Sequence, residues 1–214
     1  MSLRLEQMEL HLGARLMVQL SLNVEGGEVV TIMGPSGCGK STLLAALIGA
    51  LPRTFRQQGR VWLEGRDVTH LPVEARRMGI LFQDDTLFPH LSVAGNLGFG
   101  LPRGGQDRAA RIDAALREAG LDGFGPRDPA TLSGGQRARV ALMRTLLAAP
   151  RCLLLDEPFS KLDADLRRQI RSFVFEQARA RALPVILVTH DPADARAAQG
   201  PVLSVMGEDL RPQL

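Results

Sequence analysis

Apolar residues in this chain follow two periods. Between residues 2 and 24 they alternate with polar ones, the two-residue rhythm of half-buried β-strands, and "EGGE" at 25–28 marks a turn. Short unbroken apolar runs follow: "VVTIMG" at 29–34, "MGILFQ" at 78–83, "RCLLLDEP" at 151–158 and "LPVILVTH" at 183–190. Each has the length of a buried strand. "GRVWLEGRDVT" at 59–69 reads as a strand and a turn. "KSTLLAALIGAL", residues 106–119, 135–148 and about 163–182 carry the helical period. Strands alternating with helices predict an α/β fold with a mainly parallel sheet, preceded by an antiparallel β-subdomain. The segment 84–149, rich in Ala, Leu and Arg, predicts an inserted α-helical subdomain. One domain over residues 1–214 is expected, its core formed by about 1–83 and 150–214.

Composition narrows this picture. Hydrophobic residues make up 45% of the chain, only 4% are aromatic and tyrosine is absent, so the core must be aliphatic. A net charge of +3 admits an anionic partner, but the arginines are interleaved with acids and form no block. Cys38 and Cys152 fit neither a disulfide framework nor a metal spacing. Arg4, Glu6 and Glu9 interrupt any secretory leader, and "LLAALIGAL" at 43–51 is about half a membrane span. A soluble chain in a reducing compartment is expected, with any membrane crossing left to another chain.

Of the 26 basic side chains only Lys40 and Lys161 are lysines. Lys40 lies in "GPSGCGKST", which fits G-x-x-x-x-G-K-[ST] between a predicted strand and a predicted helix. Such glycines let backbone N–H groups turn toward one anion, and the following helix adds its positive end. A compact ammonium fits between β- and γ-phosphates where a forked guanidinium does not. Ser41 can ligate Mg²⁺.

"LLLDEP" ends a buried run in Asp156 and Glu157, at the sheet edge where α/β folds bind ligands. There Asp156 would hold Mg²⁺ and Glu157 would polarise the attacking water; taken alone, the pair reads equally as a helix cap. In "LSGGQ" at 132–136, Ser133 is a good N-cap and Gly134 and Gly135 expose N–H groups to a second anion. These five residues also suit an ordinary capped helix.

Together these segments resemble the ATP-binding subunits of ABC transporters over nearly the whole chain. Gly34, Pro35, Ser36, Gly37, Cys38, Gly39, Lys40, Ser41 and Thr42 match the Walker A loop, and "CLLLDE" matches Walker B with its catalytic glutamate. Ser133, Gly134, Gly135 and Gln136 match the signature motif, Gln83 the Q-loop, Asp163 in "SKLD" the D-loop and His190 the switch histidine. "LFPHLSVAGNLGFGL" is similar to importer-type subunits, and "LLLDEPFSKLD" to the YnjD-like ones.

The resemblance implies a RecA-like P-loop core that binds ATP and Mg²⁺, with the metal held by Ser41, Gln83 and Asp156. It implies catalysis by Glu157, His190 and Gln83. A head-to-tail homodimer is expected, Ser133 to Gln136 of one copy completing the other's ATP site and Asp163 communicating between copies. An integral-membrane permease would dock near 84–90, at the cytoplasmic face of the inner membrane, with a solute-binding protein if the direction is import. The chain ends too soon for the extra regulatory domain of larger importer ATPases. An exporter or lipoprotein-release ATPase is the alternative. A nucleic-acid or ribosome-associated ATPase fits less well, because Gln83 and Leu132 are not separated by a heptad run; no nucleic acid is expected. The family stacks an aromatic residue on adenine at a position that falls at His11, but no aromatic residue precedes Phe55. His11 is thus either the stacking group or a surface histidine on a strand edge.

Overall fold

The computed structural model describes residues 1–210 apart from 85, 103, 105 and 106. They form two compact units: residues 1–80, 151–157 and 171–210, and residues 81–150 and 158–170.

The first unit contains two sheets. Strands β1 (Ser2–Leu12), β2 (Arg15–Glu25), β4 (Phe55–Leu63) and β5 (Arg66–Asp67) form an antiparallel sheet in the order β2-β1-β4-β5. The alternation of β1 changes phase once: Leu3 and Leu5 are buried, then Met8 and Leu10. Gln7, with φ of 49°, is the extra residue of the bulge that makes this shift. Opposite it stands Gly59, where a Cβ would lie 2.2 Å from the Gln7 carbonyl oxygen. Only glycine lets β4 pass the bulge.

The second sheet contains β3 (Val29–Met33), β6 (Met78–Leu81), β7 (Cys152–Asp156), β8 (Val185–Thr189) and β9 (Val202–Ser204), in the order β6-β7-β8-β3-β9. The pairs β3–β8, β7–β8 and β3–β9 are parallel. Every residue of β3 and β8 is buried, which is why these strands read as unbroken apolar runs. Register aligns their ends: Met33 pairs with Thr189, and Val188 with both Ile32 and Asp156. The expected α/β class, with its parallel sheet and antiparallel N-terminal subdomain, is the one observed.

Helix α1 (Lys40–Ile48) buries Leu43, Leu44, Ala46 and Leu47 in the core shared with Leu5, Ile32, Leu154 and Ile186. Its C-terminal carbonyls are met by Arg76 from the short α2 (Val73–Arg76). The Arg76 guanidinium donates to Ala46 and Leu47 at 2.7 and 2.8 Å, and to Thr69 and Leu71 at 2.6 and 2.9 Å. A cation there also favours the negative helix end, although burial lowers its pKa.

The second unit holds α3 (Val93–Gly100), α4 (Arg108–Glu118), a 3₁₀ turn at Pro129–Thr131, α5 (Gly134–Leu147) and the start of α6 (Ala164–Ala180). The expected helical segment was 84–149; the unit also takes in 158–170. Helix α3 escaped the sequence reading because "VAGNLGFG" is glycine-rich, but Ser92 caps it and glycine is needed for close packing. A Cβ on Gly100 would sit 2.1 Å from the Arg144 carbonyl oxygen. Helix α7 (Pro192–Ala198) completes the first unit. Among the described residues no helix is long and apolar enough to cross a membrane.

Candidate functional site

The loop Gly34–Gly39 joins β3 to α1, and α1 starts with no side-chain cap and no acidic residue in its first turn. The positive end of the helix is therefore open to an anion. Gly39, at φ 111°, lies under Val18 and Met17; a Cβ would come within 3.0 Å of Val18 Cγ2. Gly34 faces Cys38, whose Sγ would be 2.8 Å from an added Cβ. Lys40 is 5% exposed and donates from Nζ to the Gly34 and Pro35 carbonyls at 2.7 and 3.0 Å. Its ammonium thus sits inside the loop, 3.9 Å from Glu157 Oε1.

Ser41 Oγ donates to Asp156 Oδ1 at 3.1 Å. Burial is the main cause that raises the Asp156 pKa, and Glu157 adds to it; the Ser41 bond and the Lys40 charge oppose the rise. Glu157 takes φ of 48° just past β7 and donates its N–H to the Val188 carbonyl at 2.9 Å. Such a conformation costs about 1 kcal/mol or more in a non-glycine residue, so the sheet contact holds it in place. His190, one residue beyond β8, brings Nδ1 to 3.1 Å from Glu157 Oε2. The parallel register thus gathers Lys40, Ser41, Asp156, Glu157 and His190 in one place.

The residues fit a magnesium nucleotide. The loop has an enclosed cation and an uncapped helix end. Ser41 and Asp156 offer two oxygen donors side by side, the hard ligands that Mg²⁺ takes along with phosphate oxygens and water. No cluster of three or more His, Cys, Asp or Glu that could hold a metal occurs among the described residues.

The other expected site residues lie on other elements. His11 lies on β1, its Nε2 donating to Glu9 Oε2 at 3.0 Å, and Gln19 donates to the other Glu9 oxygen at 3.1 Å. The bond from His11 is the main cause of the lowered Glu9 pKa. Gln83 is exposed in the second unit, next to Asp84, which pairs with Lys161. Also in the second unit, Ser133 and Gln136 form a reciprocal capping box on α5, with bonds of 2.9 and 3.3 Å. Gly135 is buried, and a Cβ there would lie 2.4 Å from Leu166 Cδ1. Asp163 caps α6, accepting from Leu166 N–H at 3.0 Å. Sequence reasoning missed Arg76, Arg171 and Asp194, because the α1 carbonyls that Arg76 meets and the Arg171–Asp194 pair are far apart along the chain and leave no local signal.

Residues 17–160 match the ABC transporter family. The chain is 51% identical over 186 residues to the uncharacterized ABC transporter ATP-binding protein YnjD of Escherichia coli (strain K12), covering 86% of each. It is 45% identical over 180 residues to the sulfate/thiosulfate import ATP-binding protein CysA of Gloeobacter violaceus, covering 82% of this chain and 51% of that protein. With the Fe(3+) ions import ATP-binding protein FbpC of Brucella abortus (strain 2308) it shares 43% identity over 187 residues, 86% of this chain and 52% of the relative. The chain spans about half the length of those two import proteins. An enclosed lysine in a glycine loop, an Asp–Glu pair at a parallel strand end and this level of identity have one common reading: the chain belongs to the ABC transporter ATP-binding proteins, which are ATPases.

Proposed function

We propose that this chain powers solute transport, in the direction of import, through a partner permease at a membrane. The observation that carries the reading is the convergence of Lys40, Ser41, Asp156, Glu157 and His190 at the ends of β3, β7 and β8. Two of its relatives bear import in their names, which supports the direction. The residues form one ATP-binding domain with a core at about 1–83 and 150–214.

In this reading the loop N–H groups and Lys40 bind the β- and γ-phosphates. Ser41 and Asp156 would hold Mg²⁺, and Gln83 is the further ligand that the family resemblance implies; the ion would neutralise phosphate charge as it develops. Glu157 takes a proton from the attacking water, and His190, braced on Glu157, faces the γ-phosphate. Ser133 to Gln136 of a second, head-to-tail copy close the site, and Asp163 faces that copy. A solute-binding protein would deliver the cargo.

Glu157→Gln keeps size and hydrogen bonding but loses the base. Turnover should drop about 10²–10⁴-fold, with ATP binding intact. The variant should elute from a sizing column as an ATP-bound dimer, and adding Ser133→Arg should abolish that dimer. Normal hydrolysis by Glu157→Gln would remove the general-base role. An inactive variant that stays monomeric with ATP would remove the shared site. Co-purification with a permease and a solute-binding protein supports import; co-purification with a permease alone points to export.

A further inference from the structure

Thr189, the last residue of β8, is 2% exposed, yet its hydroxyl makes two bonds. It donates to Asp194 Oδ2 at 3.2 Å and accepts from the Asp191 N–H at 3.1 Å. One oxygen thus ties together the residues on either side of His190. The other Asp194 oxygen accepts from Arg171 Nη1 at 2.9 Å, with Asp194 3% and Arg171 14% exposed. The same turn is closed again by Asp194 N–H on the Asp191 carbonyl at 3.1 Å and by Ala193 N–H on Asp191 Oδ1 at 2.8 Å.

A buried ion pair is a poor source of stability, because desolvating both charges offsets most of their attraction. It is a good source of fixed geometry, since each carboxylate oxygen has one set direction. We propose that Arg171, Asp194 and Thr189 are positioning residues for His190. Arg171 orients the Asp194 carboxylate, the carboxylate orients the Thr189 hydroxyl, and the hydroxyl fixes the backbone on both sides of the histidine. His190 itself is 58% exposed, and its ring touches Glu157. This inference rests on the role given above to His190.

The test uses Thr189→Val, which removes the hydroxyl but keeps shape and leaves the Arg171–Asp194 pair in place. In the full-length chain, kcat for ATP should fall about tenfold, below the roughly 10²-fold that a 1 Å misplacement can cost. KM should stay within about threefold. Thr189→Ser should restore kcat. In a His190→Ala background Thr189→Val should cause no further loss, because the two act through one group. A second readout needs no nucleotide: among the four histidines, only the His190 imidazole proton signals should move or broaden in Thr189→Val. Unchanged kcat, an equal loss in both backgrounds, or an unmoved His190 signal would each overturn the inference while leaving the His190 role intact. Wild-type kcat in His190→Ala would overturn both.

Discussion

Ser41 and Asp156 stand 115 positions apart in the chain, yet the Ser41 hydroxyl donates to Asp156 Oδ1 across 3.1 Å. The bond joins the first turn of α1 to the end of β7 and involves a half-buried carboxylate. Burial raises the Asp156 pKa, so the folded, metal-free chain disfavours the ionised form. The resulting destabilisation is present above the folded-state pKa and vanishes as pH falls below the ordinary carboxylate value. Asp156→Asn should therefore raise the melting temperature of the metal-free chain at neutral pH, abolish Mg²⁺-dependent hydrolysis, and leave no thermal gain at acid pH. A lower neutral-pH melting temperature would contradict this.

Lys40 occupies a seat sized for an ammonium, enclosed by the Gly34 and Pro35 carbonyls. Lys40→Arg keeps the charge but must push a planar fork into that space. ATP turnover should fall roughly 10²-fold or more, the scale of a 1 Å displacement of a catalytic group. Wild-type turnover in the variant would mean that charge alone is enough.

Arg76→Leu would take a donor from four carbonyls, two of them at the C-terminus of α1; of these the Ala46 carbonyl keeps the Gly49 N–H at 3.2 Å and the other three lose the guanidinium. Each buried acceptor left unpaired costs about 1–3 kcal/mol, so a total loss of about 3 kcal/mol or more is expected in urea unfolding. Arg76→Lys should recover part of it, since an ammonium has three donors for four acceptors. A change below about 0.5 kcal/mol, typical of neutral surface sites, would show that α1 does not depend on this cap.

The ring of His11 is held by Glu9. If it stacks on the nucleotide base, His11→Ala should weaken ATP binding, and His11→Tyr should strengthen it by about 1 kcal/mol for the added aromatic contact. Titration with a fluorescent ATP analogue reads both. Equal affinities in all three proteins would put the base contact elsewhere.

The buried strands were legible because burial on both faces leaves an unbroken apolar run, as in Val29–Met33 and Val185–Thr189. The cap of α5 was legible because Ser133 and Gln136 are three residues apart and serve each other locally. Even the bulge at Gln7 leaves a trace, the change of phase between Leu5 and Met8. What stayed hidden depends on long-range partners. Nothing near Arg76 foretells the α1 carbonyls, and nothing near Asp194 foretells Arg171, 23 positions earlier. Gly135 fits two readings from its letter alone, because an open N–H and a tight helix contact demand the same residue. The bond between Glu9 and His11 could have been found, since residues two apart on a strand share a face.

The shared register of β3, β7 and β8 has a consequence for how such a chain can diverge. Inserting or deleting one residue inside any of these strands would move its last position by about 3.3 Å and turn it to the opposite face. Met33, Asp156 and Thr189 each lead directly into a site residue, so the slip would displace Gly34, Glu157 or His190 relative to the other two. The sheet could absorb the change and still fold, with its edge no longer in line. Between the strands no such ruler operates, and loop closure there costs only about 0.6 kcal/mol per doubling of length. Working descendants of this chain can therefore change the letters of these strands, but change length only in the connections between them.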